Sequence, residues 1–85
     1  GKEILKVRIE DAERNEVHEA LSSLESTETV DFIRDDEQLY EVQSKIDQSS
    51  RRDIFDLCVK KKWVLTEMSP IETKLEDIFR ELTMN

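Results

Sequence analysis

Glycine is nearly absent from this sequence: among 85 residues it occurs once, as Gly1. Phosphate-binding loops need several glycines, because only glycine lets the backbone approach a phosphate closely, and calcium loops need a central glycine for their sharp turn. Both kinds of site are therefore excluded. Gly1 stands where an initiator methionine is expected, and we interpret it as a residue left by cloning at the start of a piece of a longer polypeptide.

Cysteine and histidine are equally scarce, with one of each, Cys58 and His18. A zinc site needs several such ligands at close spacing, and a disulfide within the chain needs two cysteines, so neither can form. A single cysteine is typical of a reducing compartment. Cys58 could in principle be a nucleophile with His18 as its base, but it falls in an apolar helical stripe. We interpret Cys58 as a core residue and His18 as a surface or boundary residue.

Long apolar runs are missing as well, since none approaches the roughly 18 residues of a membrane-spanning helix. Acidic residues outnumber basic ones by 21 to 13, and the net charge is −8. A chain of this sign repels nucleic-acid phosphates and anionic lipids. We therefore expect a soluble intracellular domain with no nucleic-acid partner and no direct membrane insertion. The length predicts a single domain, residues 1–85.

Two kinds of apolar pattern fill most of the chain. Leu5, Val7 and Ile9 alternate with charged residues, which is the period-2 pattern of a half-buried strand, whereas Val17 and Leu21 recur at helical spacing. Continued along the chain, these patterns predict strand 5–9, helix 12–25, strands 29–34 and 38–46, a helix that follows Ser49 or Ser50 and ends at 60–62, strand 63–68, and a last helix from Thr73.

This order predicts an α+β fold of the ferredoxin-like type, βαββαβ with a four-stranded antiparallel sheet, two helices on one face and an added C-terminal helix. With Phe55 in the core, its truncation to alanine is expected to cost about 3–5 kcal/mol. The opposite sheet face keeps scattered apolar residues such as Ile4 and Leu39, so we expect it to be covered. Ten residues are predicted to be buried together: Leu5, Val7, Ile9, Leu21, Leu24, Phe32, Val42, Ile54, Phe55 and Cys58.

Charged residues cluster at two places. The acidic run 35–37 lies between the second and third predicted strands, and we interpret it as a solvated turn. The basic cluster comprises Arg51, Arg52 and the lysines 60–62, at the two ends of the second predicted helix. The lysines suit the negative end of the helix dipole, with a patch for an acidic partner as the alternative interpretation.

The C-terminal stretch combines a capping signal with an apolar stripe. Thr73 and Glu76 stand three residues apart, as a capping box requires. The residues at i, i+3, i+4 and i+7 that follow are Leu75, Ile78, Phe79 and Leu82. A short helix with such a stripe is stable only when it packs against something. We expect it to dock on the open sheet face of its own domain or on a second copy.

The same stretch carries a family resemblance. It reads Leu75-Glu76-Asp77-Ile78-Phe79-Arg80-Glu81-Leu82-Thr83, which resembles the L-E-D-[VI]-F-x-x-L-T ending of many bacterial ABC-transporter ATP-binding subunits. Upstream, Arg52-Asp53-Ile54-Phe55-Asp56-Leu57 followed by Trp63 is similar to their C-terminal extension. Among these subunits the pattern is most similar to the gliding-motility-associated ATP-binding proteins.

The resemblance implies a non-catalytic accessory domain that supports subunit dimerisation, coupling to the permease, or regulation. It implies a cytoplasmic domain held at the inner membrane through the transporter, with a second ATP-binding subunit and membrane permease subunits as partners. ATP and Mg²⁺ are expected only in a preceding nucleotide-binding domain, and no cofactor or metal in this chain. The candidate interaction and structural residues are Thr73, Leu75, Glu76, Asp77, Ile78, Phe79 and Leu82.

Two other functions remain open from the residues alone. One is a stand-alone ligand-sensing domain of ferredoxin-like topology, which binding of amino acids or nucleotides would favour. The other is a protein-docking module that uses the basic cluster of the second helix, which loss of a partner on charge reversal of Lys60 to Lys62 would favour.

We predict that this chain alone neither binds nor hydrolyses ATP, because it contains no phosphate loop and no nucleophile–base pair. Calorimetric titration with ATP should give no heat of binding, and phosphate release should equal that of a mock purification. ATPase activity that copurifies with the chain and is absent from the mock preparation would contradict this prediction.

Overall fold

The computed structural model describes residues 2–71. Six elements follow one another along this part of the chain. The predicted C-terminal helix lies outside the described residues, and so do all the motif residues assigned to it: Thr73, Leu75, Glu76, Asp77, Ile78, Phe79 and Leu82. The elements are β1 (Ile4–Glu10), α1 (Arg14–Ser22), β2 (Thr27–Phe32), β3 (Leu39–Ser44), α2 (Arg51–Lys61) and β4 (Val64–Pro70).

The strands form one four-stranded antiparallel sheet in the order β2-β3-β1-β4. β1 is central and pairs with both β3 and β4, while β2 pairs with β3. Since α1 links β1 to β2 and α2 links β3 to β4, each helix connects two strands that run parallel with a third between them. The predicted α+β, ferredoxin-like βαββαβ arrangement is confirmed.

Helix α1 is shorter than the predicted helix 12–25, because it is capped at Glu13 and ends at Ser22. Asp11, which directly precedes the predicted helix 12–25, lies in the turn before the helix with a φ of 58°. The N-cap is Glu13, whose carboxylate accepts the backbone N–H of Glu16 at 2.7 Å. At the other end the hydroxyls of Ser22 and Ser23 donate to carbonyls one turn back, at 2.7 and 2.9 Å. Such bonds compete with helix continuation.

Tight turns form without glycine. Three aspartates and one lysine have a φ near 60°, in the left-handed region: Asp11, Asp35, Asp47 and Lys62. Aspartate tolerates this region better than most residues, because its short side chain bonds to nearby backbone groups. Asp36, for example, accepts the N–H of Gln38 at 3.0 Å in the β2–β3 loop. The loop spans residues 33–38 and is therefore longer than the run 35–37 left between the two predicted strands.

Strand β4 continues through Ser69 and Pro70, two residues beyond the end of the predicted strand 63–68. Pro70 lies opposite Leu5 of β1, and the next residue, Ile71, donates its N–H to the carbonyl of Ile4 at 2.8 Å. Proline is tolerated here because β4 is an edge strand and needs no donor on its outer side. The described part of the chain therefore ends beside the start of β1.

The core lies between the helices and one face of the sheet. Seven of the ten predicted core residues are buried: Leu5, Val7, Ile9, Leu21, Val42, Ile54 and Cys58. Tyr40, which the patterns did not place in the core, is only 1% exposed. Its hydroxyl reaches the carbonyl of Glu37 at 3.4 Å, and burial raises the pKa of the phenol.

Three predicted core residues are not buried. Leu24 is half-buried and packs against the edge of the core. Phe32 faces the helices but sits at the end of an edge strand, so it is covered by polar side chains and stays 39% exposed. Phe55 is 56% exposed, because α2 is rotated so that Ile54 and Cys58 point inward. The prediction for Phe55 was wrong.

The opposite sheet face is charged at its centre rather than apolar. Lys6 and Arg8 of β1 alternate with the buried residues and therefore lie on this face. Glu67 of β4 is 3.3 Å from the Lys6 amine and 3.9 Å from the Arg8 guanidinium. Arg8 also pairs with Asp36 at 3.1 Å. The backbone N–H of Gln38 and then Arg8 lower the pKa of Asp36. An antiparallel sheet can leave a face with such a charged centre in water. Of the apolar residues expected on this face, Leu39 is only 9% exposed and Ile4 is half-buried.

We predict opposite outcomes for truncating two neighbouring residues of α2. Ile54→Ala should lower the free energy of unfolding by about 2–5 kcal/mol, because it leaves a cavity in the core. Phe55→Ala should cost at most about 1.5 kcal/mol, because less than half of its side chain is removed from water. Urea unfolding followed by circular dichroism measures both. A larger loss for Phe55→Ala than for Ile54→Ala would show that the helix is rotated differently.

Candidate interaction surface on the second helix

Helix α2 is anchored at its N-terminal end by a buried cluster of hydroxyl groups. Ser50, which is fully buried, places its Oγ 2.8 Å from that of Ser44 and 3.1 Å from that of Ser26. Its backbone N–H donates to Ser44 Oγ at 3.1 Å, and Thr27 Oγ1 lies 3.4 Å away. Ser26 also donates to the Asp53 carboxylate at 2.6 Å. The cluster ties the start of α2 to both β2 and β3.

The anchor sets which residues of α2 face the core. Ile54 and Cys58, one helical turn apart, are buried, and Leu57 packs beside them. Ile54 begins the helical hydrogen bonding by donating its N–H to the Ser50 carbonyl at 2.9 Å. Burial raises the pKa of the Cys58 thiol, so the reactive thiolate is disfavoured. This environment agrees with the interpretation of Cys58 as a core residue.

The outward side of α2 carries two exposed apolar residues, Phe55 and Val59, which we call the α2 strip. They are 56% and 63% exposed, and four residues apart they lie on the same side of the helix. Surface hollows between α1 and α2 are lined by other α2 residues: Asp53, Asp56, Leu57, Lys60 and Lys61. The α2 strip therefore lies on the flank of α2 away from α1, on the side of β4.

Positive charge surrounds the α2 strip. Residues 51–62 carry five basic side chains and two acidic ones, a local net charge of +3 in a chain of net charge −8. Arg51 forms an ion pair with Glu3, with its Nε 3.2 Å from the carboxylate. The Nζ of Lys61 lies over the Trp63 ring, 6.0 Å from the ring centre. Arg52 and Lys62, both exposed, make no ion pair within residues 2–71.

The C-terminal end of α2 explains why so many lysines occur there. Lys60 and Lys61 occupy the last turn, where the helix dipole favours positive charge. Lys62 ends the helix in the left-handed conformation, with φ of 61°, and Trp63 donates its N–H to the Cys58 carbonyl at 2.9 Å. The dipole accounts for Lys60 and Lys61, but neither for Arg52 nor for the exposed apolar pair.

A second surface feature lies at the opposite edge of the sheet. The Arg14 guanidinium lies over the ring of Phe32, 4.2 Å from its centre, and the His18 ring stacks on Phe32 at 4.7 Å. His18 Nε2 is 2.8 Å from the Val30 carbonyl, so this histidine is a boundary residue, as predicted. Beside Arg14 is a hollow of about 380 Å³, bordered by Phe32 and the loop 33–37.

Within residues 2–71 no group of three or more histidine, cysteine or acidic side chains is arranged to hold a metal ion. In the same part of the chain, neither helix has the length and apolar character needed to cross a membrane. What the described residues bring together is an apolar pair and its basic surroundings on α2.

Sequence reasoning missed the α2 strip because it predicted Phe55 to be buried together with Ile54 and Cys58. Ile54, Phe55, Cys58 and Val59 span an arc of the helix that is too wide for a single contact with the sheet. Leu57 could have indicated the correct rotation of the helix. Together with Ile54 and Cys58 it forms a narrower apolar stripe, and Phe55 and Val59 lie outside that stripe.

No protein-family model, curated protein or solved structure shows a significant match to this chain.

We predict that the buried hydroxyl of Ser50 stabilises the fold more than the exposed hydroxyl of Ser49 does. Ser50→Ala should lower the free energy of unfolding by about 1–3 kcal/mol, because buried hydroxyls of its neighbours lose a partner. Ser49→Ala is the matched control: Ser49 is exposed and bonds only to Glu3 and to the helix start, so the cost should stay within about 0.5 kcal/mol. Equal losses in urea unfolding would contradict the role given to Ser50.

Proposed function

We propose that this chain is the non-catalytic C-terminal accessory domain of a bacterial ABC-transporter ATP-binding subunit of the gliding-motility type, and that it acts by contacting other proteins. The observation that carries the proposal is the α2 strip, two large apolar side chains left exposed on a basic helix. Exposed apolar residues with a charged rim are typical of protein-interaction surfaces. The stretch 75–83, with its similarity to the ending of such subunits, supports the family.

The charges around the α2 strip define the partner's chemistry. Arg52 and Lys62 offer positive charge that no acidic side chain within residues 2–71 pairs with. The matching surface is apolar at its centre and acidic at its rim. In this proposal the partners are a second ATP-binding subunit and the permease. ATP and Mg²⁺ belong to a nucleotide-binding domain that precedes this chain, and the assembly is cytoplasmic and held at the inner membrane by the permease.

The coding sequence upstream of Gly1 tests the family, since the proposal requires a phosphate loop there. The interaction surface is tested in the full-length subunit with the double variant Phe55→Asp and Val59→Asp. Its association with the second subunit or the permease should be weaker by about tenfold or more, because a charge replaces each apolar contact. ATP binding should stay unchanged. Association is measured by analytical ultracentrifugation and by copurification with the permease.

Ile46→Asp is the matched control for this experiment, because Ile46 is also 63% exposed but lies in the loop before α2. It should leave association unchanged. Unaltered association of the Phe55 and Val59 variant would overturn the interaction surface, and an upstream sequence without a phosphate loop would overturn the family.

A second candidate function is ligand sensing through the hollow beside Arg14. Nε of Arg14 is buried and has no hydrogen-bond partner within residues 2–71, and a carboxylate ligand would satisfy it. The hollow also borders the acidic residues 35–37, which repel such a ligand, so protein contact is the better supported function. Calorimetric titration with free amino acids, with Arg14→Gln as the control variant, distinguishes the two.

A further inference from the structure

The sheet ends in two edge strands, β2 and β4, and the two edges differ in how they are covered. Along an antiparallel strand, successive residues point their backbone N–H and C=O groups to opposite sides. Ile33 donates its N–H to the carbonyl of Leu39 at 3.2 Å, towards β3, so the groups of Val30 face outward. The outward carbonyl of Val30 is 2.8 Å from Nε2 of His18. A side chain of α1 therefore covers the edge of β2.

The backbone of β4 points outward at Met68 and Pro70. Ile71 donates its N–H to the carbonyl of Ile4 at 2.8 Å, so its backbone groups face β1. Since the direction alternates along the strand, the groups of Pro70 face outward, and those of Met68, two residues earlier, do so as well. Pro70 has no N–H to offer and ends the usable edge, whereas Met68 offers both a donor and an acceptor.

Leu65 completes the open part of this edge. Ile9 donates its N–H to the carbonyl of Gln38 at 3.0 Å, on the side of β3. Leu65 lies opposite Ile9, so this pair exchanges no hydrogen bond and the backbone groups of Leu65 also face outward. Within residues 2–71, neither Leu65 nor Met68 makes a backbone hydrogen bond outside the ladder. We call the outward backbone groups of these two residues the β4 edge.

A strand added at the β4 edge lies beside the α2 strip. Leu65 and Met68 pack against the core, on the helix side of the sheet, and residues directly opposite them on an added strand share that side. The added strand runs about 4.8 Å beyond β4, below the flank of α2 that carries Phe55 and Val59. Every second side chain of the added strand therefore faces the α2 strip, and apolar side chains fit there.

The charges at this position favour an acidic partner over a second copy. Arg52 and Lys62, near the two ends of α2, make no ion pair within residues 2–71. Two copies joined edge to edge about a twofold axis would place two α2 helices side by side, each with a net charge of +3 over residues 51–62. Like charges oppose such a contact, whereas acidic residues at the ends of the added strand complement it.

We propose that a partner protein adds an extended segment to the β4 edge as a fifth strand. Its apolar side chains, at every second position, contact Phe55 and Val59, and its acidic residues lie near Arg52 and Lys62. Backbone hydrogen bonds supply the affinity in this kind of recognition, and the alternate side chains supply the specificity. The inference rests on the proposed function for the interaction surface, and it specifies the conformation and chemistry of the partner segment.

Selection of random peptides displayed on phage against the chain tests the proposal without a known partner. Enriched peptides should carry apolar residues at every second position and aspartate or glutamate at both ends. Phe55→Asp combined with Val59→Asp should weaken binding of an enriched synthetic peptide by about tenfold or more. Ile46→Asp, which alters an equally exposed residue of the loop before α2, should leave binding unchanged.

Two measurements on the enriched peptide test the backbone contact itself. Methylation of one alternate set of its backbone nitrogens should abolish binding, and methylation of the other set should not, because only one set faces β4. Hydrogen exchange of the amides of Leu65 and Met68 should slow by about tenfold or more when the peptide binds. The amide of Val30, on the other edge of the sheet, should be unaffected.

A charge test is independent of the apolar contact. Arg52→Glu combined with Lys62→Glu should weaken binding of the enriched peptide by about tenfold or more, because its acidic ends then meet like charge. Arg34→Glu is the matched control, since Arg34 lies on the β2–β3 loop and its side chain is 95% exposed. It should leave binding unchanged.

Several results would overturn the added strand: no enriched peptide, apolar residues spaced three and four apart as in a helix, equal effects of the two methylated sets, or slowed exchange at Val30 in place of Met68. Helically spaced peptides that still depend on Phe55 and Val59 would leave the α2 strip as an interaction surface. The proposed function fails by other measurements, the association and the upstream sequence of the full-length subunit, so the two failures are distinguishable.

Discussion

The packing of the second helix depends on one buried hydroxyl. Ser50 Oγ lies within 3.5 Å of hydroxyls on both β2 and β3 or their borders, and Ser50 also provides the first carbonyl acceptor of α2. Buried hydroxyls are stable only while their hydrogen bonds are made. The position and rotation of α2 are therefore fixed at its N-cap residue, and they determine which side chains of the following turns face the core. Ile54 is buried and Phe55 exposed for this reason.

The same hydrogen bonds of Ser50 determine which side of α2 is exposed, and this side differs in character from the open face of the sheet. Once α2 is held with Ile54 and Cys58 inward, Phe55 and Val59 must point out on the β4 side. The open face of the sheet is charged at its centre instead, because Glu67 forms ion pairs with Lys6 and Arg8 across neighbouring strands. Within residues 2–71 this acidic chain thus has a sheet face with a charged centre and a basic helix, α2, that carries an exposed apolar pair, and the proposed contacts use that helix.

Much of the fold was determined by the sequence alone. Alternation in β1, helical spacing in α1 and α2, and the order of the elements predicted the ferredoxin-like topology, because these signals depend on local periodicity. The local exceptions, such as the Glu13 cap and the strand through Pro70, needed the neighbouring strands and loops. The exposure of Phe55 and Phe32 was decided only by tertiary structure: a four-residue apolar arc fits several helix rotations, and Ser50 and the edge position of β2 select one of them.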